Sequence, residues 1–128
     1  MTTTTAGIDT ISLVIIPSPD QDRAIAFYES LGFEKRTDIP FAGQYRWVEV
    51  YPPTGGTGIA LAPPREGDPV AVQTGISLTT TDIESTYADM KSKGVDIDAE
   101  ISRMGDPVPP MFWFRDADGN TLLVVQSA

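Results

Sequence analysis

The chain repeats one local pattern twice at a fixed distance, and this repetition limits the folds it can adopt. In each half, a residue of a predicted strand lies seven positions before an aspartate, and a glycine follows that aspartate by twelve positions. The matching residues are Leu13, Asp20 and Gly32 in the first half and Gly75, Asp82 and Gly94 in the second. Two unrelated strand–helix units could share these distances by chance. The matching helix starts favour an internal duplication instead.

Each predicted helix begins at a capping box. Ser18 is followed three residues later by Gln21, and Thr81 by Glu84, and such pairs satisfy backbone N–H groups at a helix start. Apolar residues then recur at helical spacing and give each helix one apolar face. These residues are Ala24, Phe27, Tyr28 and Leu31 in the first helix and Ile83, Tyr87 and Met90 in the second. The glycine of each repeated pattern fits the position just beyond a helix end.

The remaining apolar runs predict a β-α-β-β-β order in each half. The predicted strands are residues 11–16, 33–37, 44–51 and 57–62, then 72–79, 95–101 (a strand or a loop), 111–114 and 122–125. The last two form a hairpin around Asp116 to Asn120, whose residues suit a tight turn and lack the length and final glutamate of a calcium loop. We predict one α+β domain, residues 1–128, with modules at about 8–62 and 71–126 and a linker at 63–70. The modules would form a curved mixed sheet with an open concave trough and with helices on the convex side.

Composition excludes several functions. The 128 residues contain no histidine and no cysteine, which removes imidazole and thiolate metal ligands, disulfides and a cysteine nucleophile. The net charge of −9 argues against a nucleic-acid partner and would favour a cationic ligand. No apolar run reaches the length of a membrane span, and residues 1–7, a predicted loose tail, lack the features of a signal peptide. We therefore expect a cytoplasmic protein with no membrane or nucleic-acid partner.

Two stretches resemble the vicinal oxygen chelate superfamily, also called the glyoxalase/bleomycin-resistance/dioxygenase group. They are Ala24 to Phe33, Ala-Ile-Ala-Phe-Tyr-Glu-Ser-Leu-Gly-Phe, and Phe114 to Asn120, Phe-Arg-Asp-Ala-Asp-Gly-Asn. Enzymes of this family hold a divalent metal with four side chains, two from each half. The resemblance places those four positions at Leu13, Ala60, Gly75 and Leu123. None of these side chains can ligate a metal, so we expect a metal-free member with no cofactor.

Strand alternation predicts which side chains line the trough. Val48 and Val50 suit the helix side, so alternate residues from Tyr45 to Tyr51 face the trough, and the resemblance implies the same for alternate residues from Met111 to Arg115. With the four metal positions, the predicted ligand-binding residues are Leu13, Tyr45, Trp47, Glu49, Ala60, Gly75, Met111, Trp113, Arg115 and Leu123. Glu49 and Arg115 are the candidates for acid–base catalysis, although either could be a solvated charge at the rim. The two tryptophans could instead be core or dimer-interface residues.

An apolar and aromatic trough without a metal is compatible with three functions. The first is a homodimer that binds a small aromatic or hydrophobic molecule, as the drug-binding resistance proteins of the family do between their subunits. The second is a lyase- or dioxygenase-type enzyme of the superfamily that acts without the usual metal site. The third is an accessory domain whose trough is filled by its own side chains. We predict the first function, and the sequence leaves open whether the two copies lie side by side or exchange their halves.

Overall fold

The computed structural model describes residues 6–41, 43 and 45–128. Most of the predicted tail and Gln44, the predicted first residue of a strand, lie outside the described residues. The elements are β1 (Leu13–Pro17), α1 (Gln21–Ser30), β2 (Glu34–Phe41), β3 (Tyr45–Tyr51), β4 (Gly58–Ala62), β5 (Gln73–Thr80), α2 (Ile83–Ser92), β6 (Asp96–Ile97), β7 (Met111–Arg115) and β8 (Thr121–Gln126). The predicted α+β fold with two βαβββ modules is therefore confirmed, and the uncertain segment 95–101 contains the short strand β6.

The eight strands form two four-stranded sheets with the same internal order. Module 1 has the order β1-β4-β3-β2 and module 2 the order β5-β8-β7-β6. In each sheet the first strand pairs in parallel with the last, and the last pairs antiparallel with the strand before it. Ala60 lies opposite Glu49, and Leu123 lies opposite Trp113. The two sheets thus repeat the duplication that the sequence indicates, and Glu49 and Trp113 occupy equivalent places.

The predicted capping boxes are wrong, although both helices exist. The N-cap residues are Asp20 and Asp82, whose carboxylates accept hydrogen bonds from the N–H groups three residues later, each at 3.1 Å. Ser18 cannot cap because it is buried and donates its hydroxyl proton to Asp118 Oδ2 at 2.7 Å. The two aspartates are also the repeated residues of the sequence pattern, so the true caps match the duplication better than the predicted ones.

Both helices end as predicted and have the same length. Each has ten residues, and each is followed by a glycine with positive φ, Gly32 at +99° and Gly94 at +75°. A left-handed residue just beyond the last turn is the usual glycine-dependent helix end. Neither helix, nor any other among the described residues, is long and apolar enough to cross a bilayer.

One hydrophobic core joins the two modules. The helix-facing residues of the central strands are buried, as alternation predicts: Val48, Val50, Phe112, Phe114, Leu122 and Val124. The ring of Phe27 on α1 stacks on the ring of Phe114 on β7, with 6.2 Å between their centroids. Helix α1 therefore packs on its own sheet and also contacts the other module. The opposite face of each sheet, called here the trough face, carries the predicted ligand-binding side chains.

Candidate ligand-binding site

Three trough-face side chains of β3 form one hydrogen-bonded cluster. Trp47 donates its indole N–H to Glu49 Oε2 at 2.7 Å, and Tyr51 donates its hydroxyl proton to Glu49 Oε1 at 2.7 Å. Residues two apart on a strand point to the same face, which is why Glu49 can reach both neighbours. The hydrogen bond to Glu49 is the main cause that raises the pKa of Tyr51, and partial burial adds to it. The carboxylate thus fixes the orientation of an indole ring and a phenol ring.

The phenol ring of Tyr51 lies over Gly58 at the start of β4. A Cβ atom at Gly58 would lie only 2.5 Å from the nearest ring carbon, a separation that any larger residue would have to relieve by moving the ring. Gly58 pairs with Leu13 on β1, so the ring covers the sheet next to one of the predicted metal positions. The guanidinium carbon of Arg36 lies 4.9 Å from the centroid of the same ring.

The other end of β3 opens into an aromatic cavity of about 500 Å³. Its aromatic wall consists of Phe41, Tyr45 and Trp47, and the Phe41 and Trp47 rings meet edge to face with centroids 6.3 Å apart. Phe41 and Tyr45 remain 44% and 41% exposed. The opposite wall comes from residues at the end of β4 and in the linker: Ala62, Pro63, Arg65 and Asp68. Ligand sites are commonly apolar hollows of a few hundred Å³ that carry a few polar groups.

Sequence reasoning missed Phe41 and the linker wall. The prediction ended the second strand at residue 37, whereas β2 continues to Phe41 and pairs it with Tyr45. A phenylalanine four residues before a tyrosine, with a glycine between them, was the available signal for this hairpin, although Pro40 just before it disfavours strand structure in general. The linker prediction was based on proline content, which does not show what the segment packs against.

The charged trough-face side chain of β7, Arg115, is paired with carboxylates of its own module. Arg115 donates to Asp96 Oδ1 at 2.9 Å and to Asp98 Oδ1 at 3.2 Å. The other oxygen of Asp98 accepts the backbone N–H of Trp113 at 3.1 Å. These aspartates, Asp96 first, raise the pKa of Arg115. Arg115 therefore holds β6 and the following residues against β7, and neither aspartate was among the predicted site residues.

The four predicted metal positions carry no side chain that could bind a metal. Leu13 and Ala60 lie on β1 and β4, and Leu123 lies on β8. Gly75 lies where the β5–β8 pairing shifts register, with φ +72°. Among the described residues no group of three or more potential metal-ligating side chains comes together. Carbon side chains and a glycine offer no donor atom, so these residues do not fit the divalent metal that the resemblance implies.

The predicted site residues fall into two separate groups. Tyr45, Trp47 and Glu49 lie together on module 1, and Met111, Trp113, Arg115 and Leu123 lie together on module 2. None of the hydrogen bonds, ion pairs or aromatic contacts among the described residues joins a trough-face side chain of one module to one of the other. Gly75 lines a different cavity, of about 590 Å³, beside the β3–β4 turn.

Comparison with known proteins identifies relatives over nearly the whole chain. The family model of the Glyoxalase/Bleomycin resistance protein/Dioxygenase superfamily matches residues 7–124. The uncharacterized protein YurT of Bacillus subtilis is 34% identical over an alignment of 118 residues that covers 84% of this chain and 91% of that protein. A superfamily member from Sphaerobacter thermophilus is 34% identical, with a TM-score of 0.83 over 94% of this chain and 98% of its own. TnmS3, an antibiotic binding protein from Streptomyces sp. CB03234, is 28% identical, with a TM-score of 0.82 over 97% of this chain and 100% of its own.

Proposed function

We propose that this chain, which belongs to the Glyoxalase/Bleomycin resistance protein/Dioxygenase superfamily, binds a small aromatic or hydrophobic molecule on its trough face without a metal. The observation that carries the proposal is the half-exposed aromatic wall of Phe41, Tyr45 and Trp47 around a cavity of about 500 Å³. Flat aromatic side chains that remain accessible give a planar ligand a large contact area. Glu49 fixes the Trp47 ring beforehand, which lowers the entropy lost when a ligand binds.

The metal-free part of the proposal rests on the side chains at the four metal positions. Leu13, Ala60, Gly75 and Leu123 supply no donor atom, so the binding energy must come from apolar contact and hydrogen bonds. The similarity to TnmS3, an antibiotic binding protein, supports an antibiotic-like compound as the ligand class. Sequestration of such a compound, and with it drug resistance, is the biological function that we propose.

We also propose that two copies of the chain complete the site. Apolar side chains of the module 1 trough face stay in contact with solvent: Ile15 is 62% exposed and Ile39 is 54% exposed. Large apolar side chains exposed on both edge strands of one sheet face are compatible with an interface. A second copy would cover this surface and shield the module 1 aromatic cluster from solvent.

Binding can be tested with the two tryptophans as a matched pair. Untagged protein is desalted, its metal content is measured, and tricyclic aromatic compounds, including acridine, are titrated by calorimetry. We expect at least one of these compounds to bind protein that contains less than about a tenth of an equivalent of metal. Trp47→Phe should weaken the affinity at least about tenfold, a loss of about 1.4 kcal/mol, because it removes the indole of the aromatic wall. Trp113→Phe should change it less than about threefold. If no compound binds, or if binding requires a metal, the proposal is wrong.

The second candidate function is an enzyme of the lyase or dioxygenase type that acts without the usual metal site. Glu49 favours it, because a carboxylate beside two aromatic rings is suitably placed to accept a proton from a bound molecule. The same metal-free preparation tests this alternative. Conversion of a bound compound by wild-type protein, abolished in Glu49→Gln, would assign the chain to the enzymes of the superfamily.

A further inference from the structure

We infer that the trough-face site of module 1 prefers a cationic aromatic ligand, whose positive group binds the Glu49 carboxylate. The inference rests on the proposed function and adds the charge of the ligand to it. Glu49 lies at the centre of the trough-face row of β3, between the indole of Trp47 and the phenol of Tyr51. Both rings can also attract a cation through their faces.

Glu49 is an anion without a basic partner in the described part of the chain. Eight ion pairs occur among the described residues, and none of them includes Glu49. The side chains next to it on the neighbouring strands are those of Thr37 and Ala60, which carry no charge. A half-buried carboxylate gains more from a cation than a fully solvated one does, because less water screens the attraction.

The two hydrogen bonds to Glu49 hold the carboxylate in place and leave it able to accept more. Each oxygen accepts one hydrogen bond, from Trp47 or from Tyr51. A carboxylate has about four acceptor positions, so about half of them stay available for an ammonium or amidinium group. Because the donors are neutral, they orient the negative charge without cancelling it.

The nearby basic groups are already bound elsewhere. Arg36 lies over the Tyr51 ring and donates to Glu34 at 3.1 Å. Arg46 donates to Asp38 and to Asp22. The overall charge of −9 would further raise the local concentration of a cation. In module 2, by contrast, the trough-face charge is Arg115, and Asp96 and Asp98 neutralise it.

Glu49 lies on the strand next to a position at which the family resemblance implies a metal ligand. Glu49 pairs with Ala60, one of the four metal positions of the family. The site therefore lacks a donor where the superfamily enzymes bind a cation, and it presents an unpaired carboxylate from the adjacent strand. An organic cation can meet this single carboxylate, whereas a divalent metal requires several ligands.

A matched pair of compounds tests the inference. Acridine is uncharged at neutral pH, and 9-aminoacridine has the same ring system and is protonated. We expect calorimetry to show at least about tenfold tighter binding of 9-aminoacridine to wild-type protein, since a charge-assisted hydrogen bond contributes about that much. Glu49→Gln should lower this preference to less than about threefold. Glu29→Gln, the same chemical change on the exposed face of α1, should leave the preference intact.

Salt separates a role in binding from a structural role. Raising the salt concentration should weaken 9-aminoacridine binding in wild-type protein and have a much smaller effect in Glu49→Gln. If Glu49 only oriented the two rings, Glu49→Gln would weaken both compounds equally and the preference would remain, which would overturn the inference. Equal binding of both compounds to wild-type protein would overturn it as well and leave the proposed function standing. If neither compound binds, both are overturned.

Discussion

The β3–β4 turn of module 1 and the β7–β8 turn of module 2 occupy equivalent places in the two sheets, but their polar groups differ. The first turn, residues 52–57, is largely exposed. In the second, Asp116 and Asn120 are 6% and 0% exposed. Asp116 accepts hydrogen bonds from Tyr28 Oη at 2.7 Å and from the N–H groups of Asp118 and Asn120, both at 2.9 Å. The β3–β4 turn connects two strands, whereas the β7–β8 turn also holds the two modules together through its hydrogen bonds.

The buried turn contacts module 1 at several points. The side chain of Asn120 donates to Pro17 O at 2.8 Å, and Asp118 accepts the proton of Ser18. The guanidinium of Arg23 on α1 also bonds to Ala117 O. The comparison teaches that two equivalent turns of a duplicated fold can differ in role. The polar side chains of one turn are buried and stabilise the contact between the modules, while the other turn stays exposed. The two trough-face charges differ in a similar way. Arg115 is paired with aspartates of its own module, whereas none of the ion pairs among the described residues includes Glu49.

Removal of the buried carboxylate should produce the largest effect. Asp116→Ala leaves the Tyr28 hydroxyl and the backbone N–H of Asn120 without their acceptor. The Asn120 side chain keeps only its bond to Pro17 O, and each buried unsatisfied group costs about 1–3 kcal/mol. We expect a loss of at least about 3 kcal/mol in the free energy of unfolding, measured in urea. Thr54→Ala in the equivalent exposed turn should change it by less than about 0.5 kcal/mol. Similar losses in both variants would mean that the two turns do not differ.

Tyr28 should give a pH dependence of stability that a Tyr28→Phe variant removes. Burial, and then the charge of Asp116, raises the pKa of Tyr28 well above its ordinary range. Above about pH 10 the unfolded chain loses this proton while the native state keeps it, so the native state loses stability by up to about 1.4 kcal/mol per pH unit. Tyr28→Phe cannot lose this proton. The stability difference between wild type and Tyr28→Phe should therefore shrink as pH rises from about 9 to about 11, and a constant difference would contradict the assignment.

The smallest effects on the free energy of unfolding are expected at Ser18 and Thr81, the two residues predicted as N-caps. Ser18→Ala should cost about 1 kcal/mol, because Asp118 loses a donor in a partly buried place. Burial also raises the pKa of Asp118 despite that bond. Thr81→Ala, at the exposed residue predicted as the N-cap of α2, should cost less than about 0.5 kcal/mol.

The true caps serve as the reference for this test. Asp20→Ala and Asp82→Ala should each lower the free energy of unfolding by about 1 kcal/mol, as expected for N-cap aspartates. Urea unfolding of the four variants measures these differences. A large loss in Thr81→Ala together with a small one in Asp82→Ala would restore the predicted capping boxes.

Local patterns predicted most of the fold. Alternation assigned Val48 and Val50 to the core, and the family resemblance did the same for Phe112 and Phe114. Helical spacing together with the positions of Gly32 and Gly94 identified both helices. These features depend on residues a few positions apart, so a single sequence contains them. The predicted strand at residues 33–37 stopped short of Phe41. Pro40 is compatible with the longer strand because β2 lies at the edge of the sheet, where proline is tolerated.

The sequence by itself determined the duplicated βαβββ architecture, the buried strand faces and the lack of donor atoms at Leu13, Ala60, Gly75 and Leu123. Only the tertiary structure decided how the polar residues of the candidate site and of the buried turn are used. It directs Ser18 to Asp118 and Tyr28 to Asp116 and neutralises Arg115. Among residues 6–41, 43 and 45–128 it gives Glu49 no basic partner. The physical reason is that two of these contacts, Ser18 with Asp118 and Tyr28 with Asp116, join residues 100 and 88 positions apart. Their existence depends on how the two modules pack, which no short stretch of sequence encodes.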